Sequence, residues 1–280
     1  MQTLEIYQSL WAMQPHGPDG VVVPVERAFE MVTDAGYDGM AIDLGVADID
    51  AARATRPLFE KTGLGCLIMA FPKTVEGLRP VLHMAKDFGA IGVNVIGQVP
   101  ALTLTEMVPV LRAWIDIADQ EGVPVQFETH RNCITNDLYT TLELIDTIPE
   151  MRLCADLSHF LVDREFWYPI SDYDDALIQR ILARSDSFQG RVSSREQIQV
   201  PIGFPQNQKW YDLFARWWED GFRAWRARNP VGVCNFLCEL GPPEYAITGA
   251  DGRELSNRWE EALHIRERVR GIWAHLETET

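Results

Sequence analysis

The sequence has few cysteines, no long hydrophobic run and a shortage of basic residues, and each feature argues against a class of protein. Five cysteines occur among 280 residues, and none forms a CxxC pair. We therefore expect buried free thiols in a reducing compartment. No apolar stretch approaches the roughly 20 residues that cross a bilayer. The formal net charge of -16 argues against nucleic acid or anionic membrane as a partner, because both bind through Lys and Arg patches.

The N-terminal run MQTLEIYQSLWAMQPHG lacks the features of a signal peptide. It has no basic region followed by an apolar segment and a small-residue cleavage site. Together with the scattered cysteines, this run predicts a cytoplasmic protein.

Short β-rich runs alternate with helical patterns along the whole chain. The predicted strands are 5–12, 38–43, 64–71, 90–96, 124–129, 152–156, 187–193 and 232–239. Segments with the 3.6-residue apolar spacing of helices separate them. Such alternation predicts a parallel sheet, and eight units in this length favour closure into a barrel. No glycine-rich phosphate fingerprint follows the first strand. We therefore predict an α/β protein with a single (β/α)8 TIM-barrel domain over residues 1–280.

In such barrels the chemistry lies at the carboxyl ends of the strands. Alternation along the fifth strand predicts that Val125 and Phe127 face the helices, whereas Glu128 and His130 face the barrel axis. The same rule brings residues of strands six to eight to this mouth, namely Asp156, Arg191, Ser193 and Glu239. Carboxylates held close together repel, so either their pKa values rise or a cation lies among them.

Three runs, PVQFETHRNCITND, LCADLSHF and NFLCELGPPEY, resemble the motifs of the xylose-isomerase-like barrel superfamily. The earlier segment AFEMVTDAGYDGMAIDLG resembles its opening helix and strand. The superfamily contains sugar isomerases, ketose 3-epimerases, hydroxypyruvate isomerases and inosose dehydratases. The resemblance covers nearly the whole chain and is strongest at the Glu-x-His-Arg and Asp-x-x-His motifs.

The resemblance implies a divalent metal held by Glu128, Asp156 and Glu239, with His159 as a substrate contact. The seventh strand departs from the superfamily pattern, because it reads Arg-Val-Ser at 191–193 where the superfamily usually has His-x-His. Three alternatives follow: an all-oxygen site completed by Gln197 or water, Arg191 in place of the cation's charge, or loss of the metal. We expect a retained but weakened site, and oxygen ligands favour Mn2+ or Mg2+.

The resemblance also implies a reaction. A metal-assisted isomerase or epimerase would remove the proton α to a carbonyl of a small sugar-like substrate, giving an enediolate. Glu128 and Glu239 would form the acid/base pair on opposite faces of that plane. One alternative is a lyase or dehydratase acting on a keto-glycoside or cyclic polyol at the same site. Another is a non-catalytic partner subunit with a degenerate metal site.

Further residues are candidate substrate contacts. Arginines at the mouth can bind a carboxylate or phosphate bidentately, although a structural ion pair is an equal alternative. The candidates are Arg191, Arg195, His130, His16 and Trp11, with Trp167 as a second aromatic wall. A tryptophan-rich helix predicted at 207–228 should pack on the barrel. Its four tryptophans also suggest a homo-oligomer interface or a pocket lid.

Overall fold

The computed structural model describes residues 1–14 and 23–279. In this part of the chain eight strands form a closed barrel, in which neighbouring strands pair in parallel and the first strand pairs with the last. From β1 to β8 the strands are Gln2–Ser9, Gly39–Asp43, Gly65–Ala70, Val93–Val95, Val125–Glu128, Leu153–Ala155, Ser185–Gln189 and Gly232–Cys238. The prediction of a single (β/α)8 barrel is confirmed.

Helices cover the outside of the barrel, and two connections, β2 to β3 and β6 to β7, carry a pair of helices each. From α1 to α10 they are Val25–Asp34, Ile49–Arg53, Arg56–Thr62, Arg79–Phe88, Leu104–Glu121, Leu138–Thr147, Leu157–Asp163, Asp172–Leu182, Gln208–Arg228 and Arg258–Thr278. Helix α5 begins at a capping box of Thr103 and Glu106 and ends at Gly122, whose φ of 67° is left-handed. Within residues 1–14 and 23–279 no helix combines the length and apolarity needed to span a membrane.

The first and seventh strands begin earlier than predicted. Strand β1 starts at Gln2, where it pairs with Gly232, and ends before a 3-10 turn at Trp11–Met13. Strand β7 starts at Ser185 and ends at Gln189, so Arg191 lies beyond it. The polar run SDS hides the start of β7 from a hydrophobic pattern. Its two serines are buried, and Ser187 accepts from Asn94 and donates to Asn235 inside the barrel.

The core has an inner and an outer layer. Outward side chains of the strands pack on the helices, as Phe127 does against Trp114 of α5, with ring centroids 6.2 Å apart. The inner cluster is small and apolar: Tyr7, Ala41, Leu67, Met69, Ile96 and Leu237. The tryptophans of α9 are buried within the chain, Trp217 and Trp218 almost completely. Their number is therefore explained by packing on the barrel, and the homo-oligomer stays a prediction.

Candidate active site

Four charged side chains meet at the carboxyl ends of β5 to β8. Glu128 is the last residue of β5, whereas Asp156 and Glu239 directly follow β6 and β8. Arg191 reaches the same place from the segment after β7. Glu128, Asp156 and Arg191 are at most 1% exposed, and Glu239 is 6% exposed. We call these four residues the mouth cluster. Their burial means that each charge is almost fully desolvated, so the charges must be balanced within the cluster or suppressed by protonation.

Arg191 supplies the positive charge of the mouth cluster. Its Nη2 lies 3.0 Å from Glu239 Oε1, and its Nη1 lies 3.6 Å from Asp156 Oδ2. Its Nε donates to the backbone carbonyl of Glu239 at 3.2 Å. Burial by itself disfavours the charged guanidinium, but Glu239 and Asp156 outweigh that effect and raise the pKa of Arg191. The side chain is therefore a permanent cation between two carboxylates.

Asp156 uses its two carboxylate oxygens for different purposes. Oδ1 caps α7 by accepting from the backbone N–H of Ser158 at 3.0 Å and from the Ser158 hydroxyl. Oδ2 faces the mouth, 3.6 Å from both Arg191 Nη1 and His159 Nε2. The helix-cap role and the site role of this aspartate are therefore compatible.

Burial governs the protonation of the glutamates. Desolvation, together with Glu239 and Asp156, raises the pKa of Glu128 well above its ordinary value. Desolvation also raises the pKa of Glu239 to about 7, although Arg191 opposes this. The pKa values of the two carboxyls are thus raised in different electrostatic surroundings. Such a pair can supply one acid and one base at neutral pH.

The two histidines beside the cluster are held neutral. Burial lowers the pKa of His130 to about 4 and holds that of His159 well below its ordinary value. Their ring centroids lie 4.2 Å apart. The backbone N–H of Arg131 points at Nδ1 of His159 at 3.4 Å. This contact places the His159 proton on Nε2, toward Asp156 and the site.

Five atoms of these side chains are buried and have no hydrogen-bond partner. They are Glu128 Oε2, Asp156 Oδ2, Glu239 Oε2, His159 Nε2 and Arg191 Nη1. Buried polar atoms are nearly always hydrogen-bonded, because leaving one unpaired costs about 1–3 kcal/mol. A group of acceptors and donors left open at one place is what a polar, multi-hydroxyl ligand would satisfy.

Aromatic side chains line one side of the mouth. Tyr245 stands edge-on to Trp11, with ring centroids 5.3 Å apart. The guanidinium carbons of Arg191 and Arg131 each lie 5.0 Å from the Tyr245 ring, and Arg131 Nη2 donates to its hydroxyl at 2.7 Å. Gly241 permits this packing, since a Cβ there would lie within 2.8 Å of both Tyr245 and Trp11.

The structure does not bring every predicted residue to the mouth cluster. Arg195 binds Glu165 at 2.9 Å and stacks on Trp167, with its guanidinium carbon 3.7 Å from the ring centroid. Trp167 is 71% exposed, so it forms no wall of the buried site. Gln197 is exposed, and its backbone closes a turn with Ser194. Arg195 and Gln197 therefore lie outside the mouth cluster, on the segment that follows β7. His16 lies outside the described residues.

Sequence reasoning missed two residues of the site. Asp43 is the last residue of β2, is buried, and raises the pKa of both Glu128 and Glu239. Its own pKa is raised by burial. The rule that found Glu128 would have found it, since Asp43 ends a predicted strand. Tyr245 had no such signal, because it reaches the mouth from an irregular segment after β8.

The site does not fit the divalent metal that the superfamily resemblance implied. Arg191 contacts two of the three expected ligands, Asp156 and Glu239. At an effective dielectric constant of about 20, unit charges 4 Å apart interact by about 4 kcal/mol, so the guanidinium would cancel the attraction that one of these carboxylates exerts on a divalent ion. In the described residues no group of three or more His, Cys, Asp or Glu side chains has metal-binding spacing. Gln197, the expected fourth ligand, is exposed.

Comparison with known proteins places the chain in a family. A family model described as "Xylose isomerase-like TIM barrel" matches residues 29–189, more than half of the chain. The protein belongs to this xylose isomerase-like TIM-barrel family. No curated protein matches the sequence.

Several solved structures share the whole barrel at low sequence identity. An L-ribulose 3-epimerase has a TM-score of 0.64 at 17% identity, with 99% of this chain and 97% of that chain covered. A D-allulose 3-epimerase from Methylomonas sp. has 0.61 at 14%, covering 98% and 97%. A probable 3-DHS dehydratase from Bacillus anthracis has 0.53 at 14%, covering 84% and 91%. At these identities the likeness establishes the fold.

Proposed function

We propose that the protein is an isomerase or epimerase that moves a proton on the carbon α to a carbonyl of a small polyhydroxylated substrate. The observation that carries this proposal is the set of five unpartnered polar atoms at the barrel mouth, two of them on Glu128 and Glu239. Proton transfer at carbon needs a base and an acid near their working pH. The similarity to 3-epimerase structures supports the same class of reaction.

The chemistry follows from the two glutamates. One ionised carboxylate takes the proton from the α carbon, the electron pair of the broken C–H bond forms a C=C bond, and the carbonyl π pair moves to the carbonyl oxygen, giving an enediolate. The other carboxylic acid returns a proton. Return to the same carbon on its opposite face gives the epimer. Return to the neighbouring carbon gives the isomer, provided that the hydroxyl proton of the α carbon passes to the original carbonyl oxygen. Buried neutral His159 presents Nε2–H toward the site, where it can orient a hydroxyl or carbonyl oxygen.

The test is exchange of the α proton with solvent. Purified protein is incubated in D2O with a panel of ketopentoses and ketohexoses, L-ribulose and D-allulose among them, and C–H signals are followed by NMR. We expect deuterium at the carbon α to the carbonyl, together with the epimer or isomer. The matched variants are Glu128→Gln, which should slow the exchange by about a hundredfold or more, and Glu121→Gln on the outer surface, which should leave it unchanged.

Two outcomes would change the proposal. Absence of exchange and product across the whole panel would contradict the epimerase or isomerase assignment. A substrate with a leaving group β to the carbonyl separates this reaction from dehydration. Loss of that group, with its proton supplied by the acid and an enone formed, would place the protein with lyases instead.

A further inference from the structure

The position of Arg191 indicates how the substrate is bound, an inference that rests on the proposed function and deepens it. The side chain enters the mouth from the segment after β7 and lies between the carboxylates that follow β6 and β8. This is the place where the superfamily resemblance implied a divalent cation. Arg191 is 1% exposed, so its charge is directed at the site and is hardly screened by water.

Arg191 is held in this position by contacts on several sides. Nε donates to the Glu239 carbonyl at 3.2 Å, and Nη2 lies 3.0 Å from Glu239 Oε1. The Tyr245 ring lies 5.0 Å from the guanidinium carbon. A guanidinium fixed in this way keeps its orientation without a ligand, which is what electrostatic stabilisation of a developing charge requires.

One donor of Arg191 is left open. Nη1 is buried, has no hydrogen-bond partner, and stands 3.6 Å from Asp156 Oδ2. Close beside it, Asp156 Oδ2 and His159 Nε2 are also unpartnered. A carbonyl oxygen entering the mouth would find an N–H donor of a permanent cation here. Negative charge that develops on this oxygen during proton removal would be stabilised by the same group.

The geometry points to a metal-independent site, in which the guanidinium of Arg191 takes the place of the divalent cation and binds the carbonyl oxygen of the substrate. On this view the carboxylates of Asp156 and Glu239 orient Arg191 rather than ligate a metal. The ligand class is an α-hydroxy carbonyl compound, whose oxygen accepts from Nη1 and whose α proton faces a glutamate.

The experiment titrates Mn2+ and Mg2+ separately into purified, chelator-treated full-length protein and follows the heat by calorimetry. Three proteins are compared: wild type, Arg191→His, and Arg195→His as a matched control on the same segment. Wild type and Arg195→His should show no one-to-one binding. Arg191→His, which removes the competing charge and adds an imidazole, should bind Mn2+ at least about tenfold more tightly than wild type.

Each outcome decides the inference. One Mn2+ or Mg2+ bound per wild-type chain, and lost in Glu239→Gln, would overturn it. A folded Arg191→His variant that binds no better than wild type would show that Arg191 does not occupy the cation's place. If Arg191→His does not fold, Arg191→Gln replaces it, with tighter Mn2+ binding than wild type expected from loss of the competing charge alone. The titrations use no substrate, so failure of the proposed sugar reaction would leave their result unchanged.

Discussion

Two glutamates of this barrel illustrate opposite uses of a carboxylate. Glu121 ends helix α5 on the outer surface and has three basic neighbours: Arg79 at 2.8 Å, Lys86 at 3.0 Å and His83 at 3.2 Å. Hydrogen bonding led by Lys86 lowers its pKa to about 2. Glu239 has one basic neighbour, Arg191, and lies among other carboxylates in the buried mouth. Burial raises its pKa to about 7.

The difference shows what separates a structural ion pair from a candidate catalytic group. The basic side chains around Glu121 stabilise its ionised form, so it cannot deliver a proton near neutral pH. Glu239 shares a single guanidinium with Asp156 and keeps Oε2 without a partner. Because Glu239 is desolvated and has a single positive neighbour, it can gain or lose a proton near neutral pH. Perturbed pKa values of this kind cluster at functional sites.

The largest difference expected between the mouth and the surface carboxylates is in catalysis. Glu128→Gln should lower the rate of α-proton exchange by about a hundredfold to ten-thousandfold, the usual contribution of a general acid or base. The rate is measured by NMR in D2O, with Glu121→Gln as the matched surface variant. Equal rates in the two variants would break the distinction between the mouth and the surface carboxylates.

Removal of the shared cation should affect stability strongly. Arg191→Met leaves Asp156 and Glu239 buried without a counter-charge, and breaking a buried pair in this way costs about 3–5 kcal/mol. Urea unfolding above neutral pH measures the loss. The double variant Arg191→Met with Glu239→Gln should recover part of it, because one uncompensated charge is gone. An unchanged unfolding midpoint in Arg191→Met would mean that Arg191 does not balance these carboxylates.

The pH dependence of stability should have opposite signs for the two glutamates. The pKa of Glu239 rises from 4.5 to about 7 on folding, so its contribution to stability is fully present below pH 4.5 and lost as pH rises through 7. Asp43, Asp156, Glu128 and Arg191 face it. Relative to Glu239→Gln, the wild type should therefore lose stability over this range in urea titrations. A difference between the two proteins that does not change with pH would contradict a raised pKa.

Glu121 should give the smallest effect, with the reverse dependence. Its pKa falls from 4.5 to about 2 on folding, so its contribution is present above pH 4.5 and lost as pH falls toward 2. Relative to Glu121→Gln, the wild type should therefore lose a small advantage in acid. The measurement is urea unfolding across that range at low salt, because solvent and salt weaken surface ion pairs. An advantage that grew in acid would contradict the lowered pKa.

Much of the site follows from strand alternation alone. A period of two places Glu128 on the inner face of β5, and the barrel rule places the end of each strand at one mouth. These two rules bring Asp156 and Glu239 to the same location, as the structure does. Asp43 obeys the same rules. Gln197 and Arg195 lie farther along the segment after β7 than Arg191 does, and they do not reach the mouth cluster.

The sequence by itself determined the barrel, its strand order and the carboxylates at its mouth, because hydrophobic periodicity and strand ends are local features of the chain. Only the tertiary structure decided which charge those carboxylates face. Arg191 contacts Asp156, which lies 35 residues earlier in the chain, and Glu239, which lies 48 residues later. Tyr245 reaches Arg191 from an irregular segment. Burial, which sets the protonation of Glu128 and Glu239, arises from packing of the whole barrel. No local pattern encodes that packing.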